Sequence, residues 1–199
     1  MTGDIIFSAA LPEEVPQVIS AQTAESAFRT ITTRVGKASA AYRLTREIMT
    51  RRPRLVINIG SAGSCNLNVG DIVVCSRFVD RDLQPLSIEG VLSDISMAPV
   101  SGLPSIIGGQ PQMRSYICNT GDDFVTGSDI ANGDVIDMES FALAMVCREE
   151  GVPFVAVKYI TDRVGQNSVK VWADKLRNER QALSEYVARY ILISNSSHE

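Results

Sequence analysis

Two carboxylates, Glu139 and Asp162, punctuate the stretch VIDMESFALAMVCREEGVPFVAVKYITDRVG over residues 135–165, each just after an apolar run. Glu13 and Glu14 follow another such run, DIIFSAAL. Carboxylates can protonate a leaving group, activate water, or offset a developing positive charge. The only histidine, His198, lies in the C-terminal stretch SNSSHE. A Ser-His-Asp or Cys-His mechanism therefore has no usable histidine. Acid-base work falls to carboxylates, lysine, tyrosine or water. Cys65, Cys75, Cys118 and Cys147 form no CxxC pair, and no ligand set has metal-site spacing, so no metal and no other cofactor is expected.

The elements that must position these acids can be read from patterning. The 199 residues suit one domain over 1–199 with a full core. Hydrophobic residues at 45% and charged residues at 21% fit a soluble globular protein. A net charge of −4 argues against a nucleic-acid partner, and no apolar run is long enough to cross a bilayer. MTGDIIFSAALPEE lacks the basic start of a secretory signal. Cys75, Cys118 and Cys147 lie in or beside apolar stretches and read as buried thiols of a cytoplasmic protein.

Asp4 to Ala10 reads as a buried strand, with a helix opened by Leu11-Pro12-Glu13-Glu14. Phe28–Thr33 is a strand and Gly36–Thr50 a helix that ends before Pro53. Leu55–Ile59 is a continuous apolar run suited to a central strand, feeding into Gly60-Ser61-Ala62-Gly63-Ser64. Val69-Gly70-Asp71 turns into a strand over Ile72–Cys75. Pro99–Pro111 reads as loop, and Met113–Cys118 as a strand before TGDDFVTG. Val135–Asp137 is a short strand. The helix after it sets Met138, Phe141, Ala142, Met145 and Val146 on one apolar stripe. Phe154–Ile160 is the next buried strand. A last helix over about Val171–Ile193 carries Trp172, Leu176, Leu183, Val187 and Tyr190 on one side. Alternating helices and continuous apolar strands predict an α/β fold: three layers, with a central mixed, mostly parallel sheet.

Ligands of open α/β sheets bind beyond the carboxyl ends of the strands. That rule gathers Glu13 and Glu14, Gly60 to Gly63, TGDDFVTG, Met138-Glu139 and Thr161-Asp162 on one rim, suited to a small neutral polar ligand. Each element also has an ordinary structural reading. Glu13, Glu14 and Glu139 can complement helix N-termini. Gly60 and Gly63 can serve a tight turn, Phe124 the core, and Asp162 a cap. Lys158, inside an apolar strand, can snorkel from an edge or pair with a carboxylate. Arg77, Asp80, Arg81 and Asp82 can form a surface charge cluster.

Several motifs in order resemble one family. They are Ala10-Leu11-Pro12-Glu13-Glu14-Val15, Val35-Gly36-Lys37-Ala38-Ser39-Ala40-Ala41, and Ile57-Asn58-Ile59-Gly60-Ser61-Ala62-Gly63 with Val69-Gly70-Asp71-Ile72-Val73. Gly121-Asp122-Asp123-Phe124-Val125 follows, then Asp137-Met138-Glu139 with Gly151-Val152-Pro153-Phe154. The set resembles the nucleosidase branch of the purine-nucleoside and uridine phosphorylase superfamily, near the 5′-methylthioadenosine/S-adenosylhomocysteine nucleosidases. The resemblance implies an α/β domain whose mixed sheet curls toward a barrel, and cleavage of a nucleoside's N-glycosidic bond. It implies that Asp162 protonates the purine, that Glu14 activates water, and that Glu139 binds the ribose hydroxyls over Met138. An acid in the first role needs its proton at neutral pH, which burial favours. By the same resemblance Phe124 stacks on the base and Val125 reads its edge. Ser61 contacts the ribose region or the water, and Ala10 and Leu11 line the sugar side. Lys158 stands where these relatives usually carry arginine, and Arg163-Val164-Gly165 departs from their pattern.

Phosphorylases hold phosphate, normally with arginine. In the phosphorylases of the superfamily an arginine sits just before the glycine that Gly60 matches. Here that run is Val56-Ile57-Asn58-Ile59-Gly60, and the first loop offers only Glu13 and Glu14. Hydrolysis is therefore the expected reaction. Phosphorolysis remains the alternative if Arg77 or Arg81 reaches the site, with a non-catalytic nucleoside-binding protein as a second. The resemblance further implies a homodimer.

Overall fold

A computed structural model describes residues 4–20, 28–98, 115–125, 133–164 and 169–189. Strand β1 (Ile5–Ala9) is buried throughout. It lies parallel between β2 (Phe28–Thr32) and β3 (Leu55–Ser64). Such a strand, covered on both faces, has no reason to alternate polar and apolar residues. β3 pairs in parallel with β8 (Phe154–Arg163), which pairs antiparallel with β4 (Ile72–Asp80). β4 runs parallel to β6 (Tyr116–Thr120), and β6 to β7 (Val135–Asp137). β7 then returns antiparallel to β3 through Gly63 and Ile136. The sheet is thus mixed and closes on itself through β3, β8, β4, β6 and β7, leaving β2 and β5 (Asp94–Ser96) as edges.

Two cores flank the sheet. Phe78, Phe154, Phe141, Leu44 and Ile48 join the sheet to α2 (Lys37–Thr50) and α3 (Ser140–Glu149). Phe7, Ile57, Val157, Leu183 and Val187 join it to α1 (Gln17–Ser20) and α4 (Val169–Val187). Burial of side chains this size contributes roughly 1.5–3 kcal/mol each before the entropy of ordering them. No described helix is long and apolar enough to cross a membrane.

Several elements differ from the pattern in the sequence. β3 and β8 do not end at Ile59 and Ile160; they run on to Ser64 and Arg163. Gly60 to Gly63 and Thr161-Asp162 are therefore strand residues paired with one another. The apolar run stops where the side chains turn from core to cavity, while the backbone pairing continues. β4 likewise continues past Cys75 to Asp80. The first helix is a 3₁₀ turn, Pro12–Glu14, and then a separate α1. Pro16 holds Val15 extended and breaks the run. α3 buries Ser140, Leu143, Ala144 and Cys147 as well as the expected stripe, because it is covered by both the sheet and α2. Met138 precedes it and Met145 is half-buried. Asp80 is buried beside Lys37 at 2.9 Å, so the proposed surface cluster is split. Met113, Pro99–Pro111, Tyr190 and His198 lie outside the described residues, as do the side chains of Trp172 and Leu176.

Candidate active site

A cavity of about 330 Å³ opens where β1, β3, β7 and β8 end. The expected residues meet there. Ala10, Leu11 and Glu14 form one wall and Ser61 the next. Met138 and Glu139 come from the far side, with Lys158 and Asp162 from β8. Phe124 and Val125 close the mouth. Phe124 is 40% exposed, which rules out the plain core reading for this ring.

Glu14 is fixed by its own turn and by β3. Its Oε2 accepts from Leu11 N at 3.0 Å, the reach-back of a third-position glutamate. Its Oε1 accepts from Ser61 N at 3.1 Å and from Ser61 Oγ at 2.8 Å. Gly60 permits this approach, since a Cβ there would stand 3.1 Å from Glu14 Oε1. The acid is buried, so the position is set by contacts rather than by the exposed helix-end attraction considered from sequence.

Asp162 owes its place to an irregularity. Ala62 pairs with Ile160 and Gly63 with Asp162, leaving Thr161 as an extra, bulged residue. Bulges of this kind re-aim a side chain. Thr161 Oγ1 donates to Asp162 Oδ1 at 2.8 Å, and both residues line the cavity. A side chain at Gly63 would press on Asp162 Oδ2 at 3.3 Å. Asp162 is a strand residue, paired with Gly63 of β3.

Glu139 sits at the start of α3 without making a side-chain cap. Its Oε1 accepts from Gly36 N at 3.0 Å. Gly36 has φ +97°, which favours glycine, and a Cβ there would meet Asp122 Oδ1 at 3.3 Å. Burial and then the nearby charge of Asp137 push the Glu139 carboxyl up to about 8, against the opposing pull of Lys158 and the Gly36 N–H.

Asp137 and Lys158 form the buried floor. Lys158 is 2% exposed and its Nζ lies 2.8 Å from Asp137 Oδ2, which settles its two sequence readings in favour of a carboxylate partner. Asp137 also accepts from Thr120 Oγ1 at 2.6 Å and from Ser140 N at 3.0 Å. Burial alone would raise Asp137; the Lys158 charge and these bonds overcome it and hold the group below the ordinary range. Burial works against the Lys158 charge, yet Asp137 keeps its pKa raised.

Sequence reasoning missed Asp137, the Gly36 N–H and the Thr161 bulge as parts of the site. The signal for Asp137 was present: an acid and a lysine of opposite sign, each inside an apolar strand. Arg77 and Arg81 do not line the cavity. Arg77 pairs with Asp94 at 2.6 Å and Arg81 with Asp123 at 2.8 Å. Lys158 is the sole cation among the described lining residues, facing Glu14, Asp123, Asp137, Glu139 and Asp162. Such a cavity can carry an acid, a base and a stabiliser of positive charge, and it disfavours an anionic ligand.

A closed, mixed α/β sheet with a carboxylate-lined pocket at its strand ends defines the class. The chain belongs to the phosphorylase superfamily, whose family model matches residues 14–192. It is 34% identical over 149 residues to the 5′-methylthioadenosine/S-adenosylhomocysteine nucleosidase of Haemophilus influenzae (strain PittEE), covering 64% of this chain and 65% of that protein. The chain thus spans about 65% of the length of that curated relative. Its fold is similar to that of the enzyme of the same name from Helicobacter pylori with butyl-thio-DADMe-Immucillin-A, at TM-score 0.80 and 17% identity over 96% of this chain and 98% of the other. It is also similar to the futalosine hydrolase of Helicobacter pylori strain 26695, at TM-score 0.78 and 17% identity over 94% and 97%.

Proposed function

We propose that the protein is a nucleosidase that hydrolyses the N-glycosidic bond of a purine nucleoside of the 5′-methylthioadenosine/S-adenosylhomocysteine type. The observation that carries this reading is the pairing state of the cavity. Glu14, Glu139 and Asp162 converge on it, while its cation is already held by Asp137. Departure of a purine leaves oxocarbenium character on the ribose and charge on the base. Asp162 donates a proton to the base as the C–N bond breaks. Glu14, steadied by Ser61, takes a proton from the attacking water. Glu139 holds the ribose hydroxyls, with Met138 beneath the sugar and Ala10 and Leu11 beside it. Phe124 stacks on the base and Val125 offers its backbone to the base edge. Lys158 acts through Asp137, fixing the floor. The logic is that of glycoside hydrolysis with a base as leaving group.

The anionic lining would repel phosphate, and Arg77 and Arg81 are engaged elsewhere, so water is the nucleophile. The same reading makes residues 1–199 one domain of a cytoplasmic homodimer. Free cysteines support a reducing compartment. Tyr42 and Met49, 63% and 72% exposed on α2, support a covered face. Light scattering checks the dimer. The functional test is a panel of methylthioadenosine, adenosylhomocysteine, adenosine and inosine, with free base followed in phosphate-free buffer. Release of adenine from the thio-nucleosides supports the reading; cleavage of none of them contradicts it.

A further inference from the structure

α4 lies across the back of the site. Ser184 Oγ accepts from Gln17 N at 2.8 Å, and Arg180 Nε donates to Val15 O at 3.1 Å. The helix therefore grips the chain immediately after the turn that carries Glu14. One residue before Arg180 stands Glu179. It is 0% exposed, and among the described residues neither of its carboxyl oxygens meets a hydrogen-bond partner. A buried acid without a partner is among the costlier groups a core can hold.

α4 packs on the Pro12–Glu14 turn, on α1, and on β3 and β8. The turn supplies Glu13, which is exposed, and Glu14, which is buried. α1 and β3 carry no charged side chain. β8 supplies Lys158, held by Asp137, with Tyr159, Asp162, held by Thr161, and Arg163, bonded to Asn68. After burial itself, the charge of Glu14 is the largest influence on Glu179 and pushes it up to about 9. Glu14 accepts bonds from Leu11 N, Ser61 N and Ser61 Oγ.

We propose that Glu179 is a positioning residue for Glu14: a neutral, buried carboxyl that α4 packs behind the base, so that the two acids together carry one negative charge rather than two. The proposal rests on the reading of Glu14 as the group that takes a proton from water. In that step a water O–H bond breaks, its proton passes to Glu14, and the new C–O bond forms as the C–N electron pair leaves with the base. The pair then goes from one negative charge to none. When Glu179 loses its proton the pair carries two like charges, and the site fails. Coupled carboxyls titrate as a pair, so this loss appears as a separate alkaline limb.

Infrared spectroscopy of the whole protein tests the pair without substrate. At neutral pH the wild type shows protonated-carboxyl C=O absorption to which Glu139 also contributes, and Glu179→Gln removes one band of it. In Glu14→Gln the same band titrates lower by roughly one pH unit or more. Absence of the band's loss in Glu179→Gln overturns the proposal, and so does an unmoved midpoint in Glu14→Gln. Activity gives a second readout that a packing role alone would not move. The wild-type kcat/KM falls above about pH 9, and Glu179→Gln abolishes that fall; a fall that persists unchanged overturns the pairing. The infrared arm decides the pairing even where no nucleoside is cleaved, an outcome that contradicts only the functional reading.

Discussion

The molecule keeps its buried charges in two contrasting ways. Asp137 and Lys158 neutralise each other, and Thr120 and Ser140 occupy the remaining acceptor sites of the acid. Glu14, Glu139 and Asp162 are buried almost as deeply, yet among the described residues they bind neutral N–H and O–H donors. The first arrangement fixes a charge in place. The second leaves carboxyls without a fixed cation, able to answer a positive charge that appears only in a transition state. A charge-paired floor supports walls whose acids are held by neutral donors.

The contrast can be broken at either end. Lys158→Met strands the Asp137 charge and should cost roughly 3–5 kcal/mol of stability, read by urea unfolding. The double change Asp137→Asn with Lys158→Met should recover much of that loss. Asp162→Asn should leave the melting temperature close to wild type while kcat falls roughly 10²–10⁴-fold. If both changes hit stability equally, floor and wall are not distinct. Phe124→Ala should raise KM by about tenfold with little effect on folding, since the ring is exposed and base stacking contributes roughly 1–3 kcal/mol. Ser61→Ala removes one bond to Glu14 and should cost about 1 kcal/mol of transition-state stabilisation, leaving the backbone N–H in place.

Stability against pH sharpens the same contrast. Glu139 has a folded pKa raised to about 8, above its unfolded value. Its stabilising contribution is complete below the unfolded pKa and is lost as pH rises through 8. Asp137 has the opposite sign: lowered in the fold, it contributes above its unfolded pKa and loses that contribution as pH falls. Thermal melts across pH should therefore show Glu139→Gln flattening the alkaline slope and leaving the acid slope.

Much of the scaffold was legible because continuous apolar runs mark doubly covered strands, as at Ile5–Ala9 and Val155–Ile160. The strand ends were not. Gly60 to Ser64 and Thr161 to Arg163 read as loop because their residues are small or polar, but backbone pairing asks nothing of the side chain and carries both strands onward. The three acids were legible from the resemblance, which tied each to a motif. Their supports were harder to see. The Gly36 N–H that meets Glu139 is 103 residues away in sequence, and a backbone donor leaves no residue-type signature. Glu179 is not singled out by the sequence; its burial on α4 is what marks it.

The central claim is that water attacks the sugar. The direct measurement is the sugar product formed when the protein and methylthioadenosine are incubated with phosphate in large excess. The account predicts free adenine with a reducing sugar, at a rate independent of phosphate. Formation of a sugar 1-phosphate, at a rate that rises with phosphate, would contradict it.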